Sequence, residues 1–120
     1  MEDRRKSKRV KSPYYLKAID SNTNRLIGHL ADISTGGMML ISKRPINTDA
    51  AFKLKMSLPI AVKASKEITF DANCRWCMKS VDSNSYDTGF QLQNVSHEDA
   101  KVIKEFIQDS WFTLLKLLNM

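Results

Sequence analysis

Phe52-Lys53-Leu54-Lys55-Met56-Ser57-Leu58 places an apolar side chain at every second position, with Lys53, Lys55 and Ser57 between them. A period of two puts one face on a core and the other in water, so the stretch reads as a half-buried strand. Pro59 is expected to end it, and the small or basic residues 60–66 to form a loop. Glu67 to Lys79 repeats the pattern through Ile68, Phe70, Ala72, Cys74, Trp76 and Met78. Upstream, Tyr14 to Ile19, Arg25 to Ile33 and Met38 to Ser42 read as three shorter strands. Ser21-Asn22-Thr23-Asn24 forms the first hairpin turn, with asparagine suited to positive φ. Lys43 to Asp49 is a loop and Val81 to Asp87 a turn. Thr88-Gly89-Phe90-Gln91-Leu92 is a last short strand.

After residue 95 the period changes. Ser96-His97-Glu98-Asp99 has the form of a capping box, with Ser96 as N-cap and Asp99 as a shorter version of the usual glutamate. Glu98 and Asp99 also suit the positive end of a helix dipole. Ile103, Phe106, Ile107, Trp111, Leu114, Leu115 and Leu118 then recur at three- and four-residue steps, which is an amphipathic helix. Five or six short antiparallel strands followed by one helix make an α+β, mainly β, domain. Such a sheet can close into a small barrel, which removes its exposed edges.

The 120 residues, 42% of them hydrophobic, suffice for one domain with one core. No apolar run approaches the ~20 residues that span a bilayer. The charged N-terminus lacks the apolar stretch of a secretory signal, so membrane insertion is not expected and the default location is cytoplasmic. The two cysteines then read as reduced thiols.

The net charge is +6, and its placement carries more information than its size. Arg4, Arg5, Lys6, Lys8, Arg9 and Lys11 stand against Glu2 and Asp3, which puts +4 of that charge in the first eleven residues. Residues 1–12 therefore read as a basic arm and 13–120 as the folded domain, with the helix at about 96–118. A basic arm calls for an anionic partner. In an extended chain Arg5 and Arg9 would lie on one side, about 13 Å apart at ~3.3 Å per residue. That spacing brackets a dinucleotide. Arginine pairs two donors with a phosphate or with guanine O6 and N7.

A second polar cluster, Asp32-Ile33-Ser34-Thr35-Gly36-Gly37, interrupts two apolar segments and reads as a turn. An ionised Asp32 can accept from both N1–H and N2 of guanine, donors that adenine lacks. Ser34 can join at the same edge. Gly37 permits close approach of backbone to a flat base, or a positive φ. Taken alone, such a turn is more often structural. With the arm, it suggests a guanine-nucleotide site.

Arg5-Lys6-Ser7-Lys8-Arg9 matches R-x-x-x-R, and Asp32-Ile33-Ser34-Thr35-Gly36-Gly37 matches D-x-S-x-x-G. The pair, in this order, resembles the PilZ domain family over nearly the whole chain. The resemblance implies a six-stranded antiparallel β-barrel with a C-terminal helix, and binding of the bacterial second messenger cyclic di-GMP without catalysis. It implies that Arg5 and Arg9 hold phosphate and guanine, and that Asp32, Ser34 and Gly37 hold a guanine edge. Arg4, just before the first motif arginine, implies an intercalated ligand dimer. Trp76 falls where some relatives place an aromatic beside the ligand; a core tryptophan is the other reading.

Cys74-Arg75-Trp76-Cys77 has C-x-x-C spacing, but on a regular strand residues 74 and 77 face opposite ways, so structural thiols are expected. His29 and His97 stand isolated in the sequence. No metal set, nucleophile with its base, or phosphate loop is present, so an enzyme is not expected. The basic arm alone would also serve a nucleic-acid-binding module. The apolar end of the helix, Trp111 to Leu118, suggests a homodimer or an effector protein as partner, even for a degenerate domain that has lost its ligand.

Overall fold

The computed structural model describes residues 10–11, 15–61, 64–81 and 83–118. Strands β1 (Val10–Lys11), β2 (Lys17–Asp20), β3 (Leu26–Ile33), β4 (Gly37–Ser42), β5 (Ala51–Ala61), β6 (Ala64–Lys79) and β7 (Tyr86–Gln93) precede one helix, α1 (His97–Leu118). All pairings are antiparallel. The circuit β3–β2–β5–β6–β7–β4 closes where β4 returns to β3, which gives a six-stranded barrel. β1 shares the β2 side of β3: β2 pairs from Leu26 to His29, and β1 pairs at Asp32 and Ile33.

The alternating stretches behave as their pattern requires. Leu54, Met56 and Leu58 of β5 and Ile68, Phe70, Ala72 and Cys74 of β6 fill the barrel, with Phe52 half-buried at its margin. Leu30 and Ile33, Met38 and Leu40, and Phe90 and Leu92 close the core from the other strands. The hairpin at residues 20–25 forms as expected, with Asn24 at φ 60° and Asn22 N–H donating to Asp20 Oδ1 at 2.9 Å.

Several boundaries differ from the sequence reading; β2, expected over Tyr14 to Ile19, spans Lys17–Asp20. Pro59 does not end β5; the strand runs on to Ala61, and β6 begins at Ala64. The expected loop over 60–66 is therefore a short reversal. Pro59 is accommodated by a register shift between it and Ala61, where a missing N–H disturbs the ladder least. β7 begins at Tyr86, inside the expected turn, because it pairs on both sides, with Ser42 and with Lys79.

His29 is not isolated. Its ring stacks on Tyr15 with centroids 3.6 Å apart and planes 13° from parallel. Burial, then the nearby Lys17 and Lys43, push its imidazole pKa down, which favours the neutral ring.

The helix starts where its cap predicts. Asp99 N–H donates to Ser96 Oγ at 3.0 Å, and Ala100 N–H to the Ser96 carbonyl at 2.9 Å. The Asp99 carboxylate accepts from the Thr69 backbone N–H of β6 at 3.3 Å, which fastens the first turn to the barrel. Val102, Ile103 and Phe106 then enter the barrel core. Ser96→Ala removes one cap acceptor and should cost about 1 kcal/mol. In a thermal melt that appears as a midpoint lower by about 4 °C; an unchanged midpoint would show that the tie to Thr69 fixes the helix start by itself.

Candidate ligand-binding site

Two β-bulges build the site. On β3 the register against β4 shifts between Leu30 and Asp32: Leu30 opposes Leu40, but Asp32 opposes Met39 and Ile33 opposes Met38. Leu40 and Met38 are core residues, so the extra residue, Ala31, moves Ile33 inward and places Asp32 in an outward row. On β6 the register against β7 shifts between Cys74 and Trp76. Cys74 opposes buried Phe90, Trp76 opposes Gly89, and Cys77 opposes buried Thr88. Arg75 is the extra residue here.

The second bulge corrects the sequence reading of β6. Alternation does not run unbroken from Ile68 to Met78. Cys74 is buried, whereas Trp76 is 38% and Met78 61% exposed. The bulge also puts both cysteines against one backbone segment. Ile46 N–H donates to Cys77 Sγ at 3.5 Å, and Cys74 Sγ reaches Ile46 O at 3.9 Å. They do not face opposite ways. Thr88 Oγ1 also donates to Cys77 Sγ at 3.3 Å, and burial pushes the Cys74 thiol up. Both are free thiols packed into the wall of the barrel.

The two bulges align Asp32, Met39, Gly89 and Trp76 in one cross-strand row over β3, β4, β7 and β6. Three strand spacings of ~4.8 Å separate its ends, about 14 Å along the sheet. Trp76 is not a core residue: its indole lies over Gly89, so close that a Cβ on Gly89 would stand 2.1 Å from Nε1. Only glycine leaves room for the ring there. Gly36, Gly37, Arg75, Trp76, Gly89, Phe90 and Gln91 line an open cleft of about 200 Å³ beside it.

The turn that edges this cleft is closed on itself. Ser34 N–H donates to the Gly37 carbonyl at 2.8 Å. Gly37 and Gly36 N–H donate to Ser34 Oγ at 3.2 and 3.4 Å. Ser34 is 3% exposed, so its hydroxyl shapes the turn. Leu92 N–H donates to the Gly36 carbonyl at 3.1 Å and pins the turn to β7. Gly37 is buried and opposes Gln91, and among the described residues no glycine has positive φ. Positive φ, the second of the two expected roles, is therefore not adopted at Gly37. Asp32 is 9% exposed at the root of the turn.

The sequence places the arm and the turn about two dozen residues apart. β1 brings residues 10 and 11 of the arm beside the strand that enters the turn, because Lys11 opposes Asp32 and Val10 opposes Ile33. Arg4, Arg5 and Arg9, the other expected ligand-binding residues, lie outside the described residues. Arg75, Gln91 and Gly89 were missed by the sequence reading. Arg75 and Gln91 stand on wet strand faces like any surface residue, and the only signal for Gly89 was a glycine inside a strand.

The PilZ domain family matches residues 3–109, and the chain belongs to that family. Solved structures give the same fold. The PilZ domain of YcgR from Escherichia coli, solved with c-di-GMP, superposes with a TM-score of 0.75 at 18% identity, covering 98% of each chain. MotI (DgrA), an inhibitor of motility from Bacillus subtilis, gives 0.76 at 13% identity, over 93% of this chain and 53% of that one. K. pneumonia MrkH in complex with c-di-GMP gives 0.73 at 20% identity, over 96% and 56%. The chain thus spans about half the length of MotI and MrkH. No curated protein sequence matches it. Among the described residues no helix is long and apolar enough to cross a membrane, and no group of three or more histidine, cysteine or acidic side chains could hold a metal.

Proposed function

We propose that this chain is a non-catalytic receptor for cyclic di-GMP. The observation that carries the reading is the register of β1, which leads the arginine-rich arm to Asp32 at one end of the Asp32–Trp76 row. In this reading Arg5 and Arg9 hold phosphate and guanine. Asp32 accepts from a guanine edge, with Gly37 and the Ser34-shaped turn giving the base its approach. Trp76 offers a flat apolar face. Arg4 supports a second, intercalated ligand molecule.

Binding neutralises the mutual repulsion of the arm's cations and docks the arm along the barrel. That changes the surface presented to an effector protein or a second copy, for which the apolar helix end is the proposed contact. Two relatives of the same fold are solved with this ligand.

Calorimetric titration with cyclic di-GMP, against GTP, cyclic GMP and cyclic di-AMP, tests the reading. Cyclic di-GMP is expected to bind far more tightly than the other three, with stoichiometry near two. A value near one would remove the role given to Arg4. No binding, together with salt-dependent capture of random oligonucleotides, would move the assignment to a nucleic-acid module.

A further inference from the structure

The bulge on β6 places one more cation in the cleft. Arg75 is the inserted residue between Cys74, which faces the core, and Trp76, which lies over Gly89. Its side chain is exposed and lines the cleft. Its Nε donates to Gln91 Oε1 at 2.8 Å, and Nη2 donates to the same oxygen. Gln91 opposes Gly37 on the neighbouring strand, so this pair sits between the tryptophan and the turn.

We propose that Arg75 is a specificity-determining residue that exchanges the Gln91 carboxamide oxygen for the O6/N7 edge of a guanine laid against Trp76. This inference rests on the cyclic di-GMP reading. Two guanidinium donors share one neutral acceptor at rest, although the group carries five donors in a planar fork. Guanine presents O6 and N7 side by side, so each donor gains its own acceptor. Adenine offers N7 next to an amino group, and the second donor then meets a donor. The exchange trades one neutral carbonyl for another, so no charge has to be separated. Gln91 acts as a positioning residue that holds the fork beside the indole. Gly36 and Gly37 put no side chain into the cleft beside it, and Gly89 leaves room for the indole.

The test compares wild type, Arg75→Ala and Arg75→Lys by calorimetry with cyclic di-GMP and with cyclic di-AMP, with melting curves to establish folding. Arg75→Ala should bind cyclic di-GMP about tenfold more weakly, the worth of one good bidentate pair, and the preference for the guanine ligand should shrink. Arg75→Lys should fall with alanine, since it keeps the charge and loses the fork. Both variants should melt like wild type, because the side chain is exposed. Wild-type affinity in Arg75→Lys would reduce Arg75 to a general attractive charge and overturn the proposal. Equal losses for both dinucleotides would place the guanidinium on phosphate and overturn it as well. If wild type binds and Arg75→Ala binds equally, only this inference falls; if wild type does not bind cyclic di-GMP, the receptor reading falls with it.

Discussion

Gly89→Ala should weaken cyclic di-GMP binding by about fivefold to 150-fold, the equivalent of the ~1–3 kcal/mol that overpacking costs. The new methyl group would stand 2.1 Å from Nε1 and 2.3 Å from Cε2 of Trp76. Those are ring atoms, so no terminal rotation relieves the contact; the whole indole has to leave the strand. It is 38% exposed and has open space on the cleft side, so it moves there and occupies the volume a base would take. The barrel should stay folded, because Gly89 and Trp76 face outward while Phe90 and Cys74 hold the core. Tryptophan emission should shift to longer wavelength in the free protein, and calorimetry should report the lost affinity. A shifted emission with unchanged affinity would mean that the indole takes no part in holding the ligand.

Phe106→Ala has the largest expected effect on stability. Phe106 is fully buried and shares one apolar cluster with residues of every strand from β2 to β7. Truncating a buried phenylalanine costs about 3–5 kcal/mol in lost transfer and cavity terms. A domain of this kind holds only ~5–15 kcal/mol in all, so the variant should unfold at much lower urea. The helix and barrel should melt together, because Val102 and Ile103 belong to the same cluster as Leu54 and Phe70. Phe106→Leu, which keeps most of the volume, should cost less than ~1.5 kcal/mol. A helix lost at low urea, with the barrel persisting to the wild-type midpoint, would show instead that α1 is a separable element.

Most of the fold was legible because alternation and helical periodicity report burial directly. Residues 54–58 and 68–74 obey their patterns to the residue, and Ile103 and Phe106 are buried as the helical period requires, joined by Val102, which the pattern did not include. The site was less legible, for a specific reason. Both bulges reverse the parity of a strand, and parity is the only signal that the alternation argument uses. On β3 the reversal leaves a trace, since Leu30 and Ile33 are both apolar and cannot share a face of a regular strand. On β6 it leaves none. Trp76 and Met78 are apolar and continue the even-numbered pattern, so exposed residues look like core. The arm and turn motifs were visible in the sequence, but the pairing of Val10 and Lys11 with the strand that enters the turn belongs to β1, two residues long, whose pairing no periodicity could reveal.

The unbroken run of β5 through Pro59 has a consequence for solubility. β5 pairs with β2 only at Leu54 and Lys55, whereas it pairs with β6 over its whole length. Among the described residues the far half of the hairpin is thus bonded on one side alone, and such an edge can template strands from other chains. A proline there has no N–H to offer an incoming strand, whichever way its nitrogen faces, and the register shift beside it bends the ladder. Pro59 therefore guards a long hairpin, rich in β-forming residues, against edge-to-edge aggregation at the place where the barrel leaves its edge unpaired.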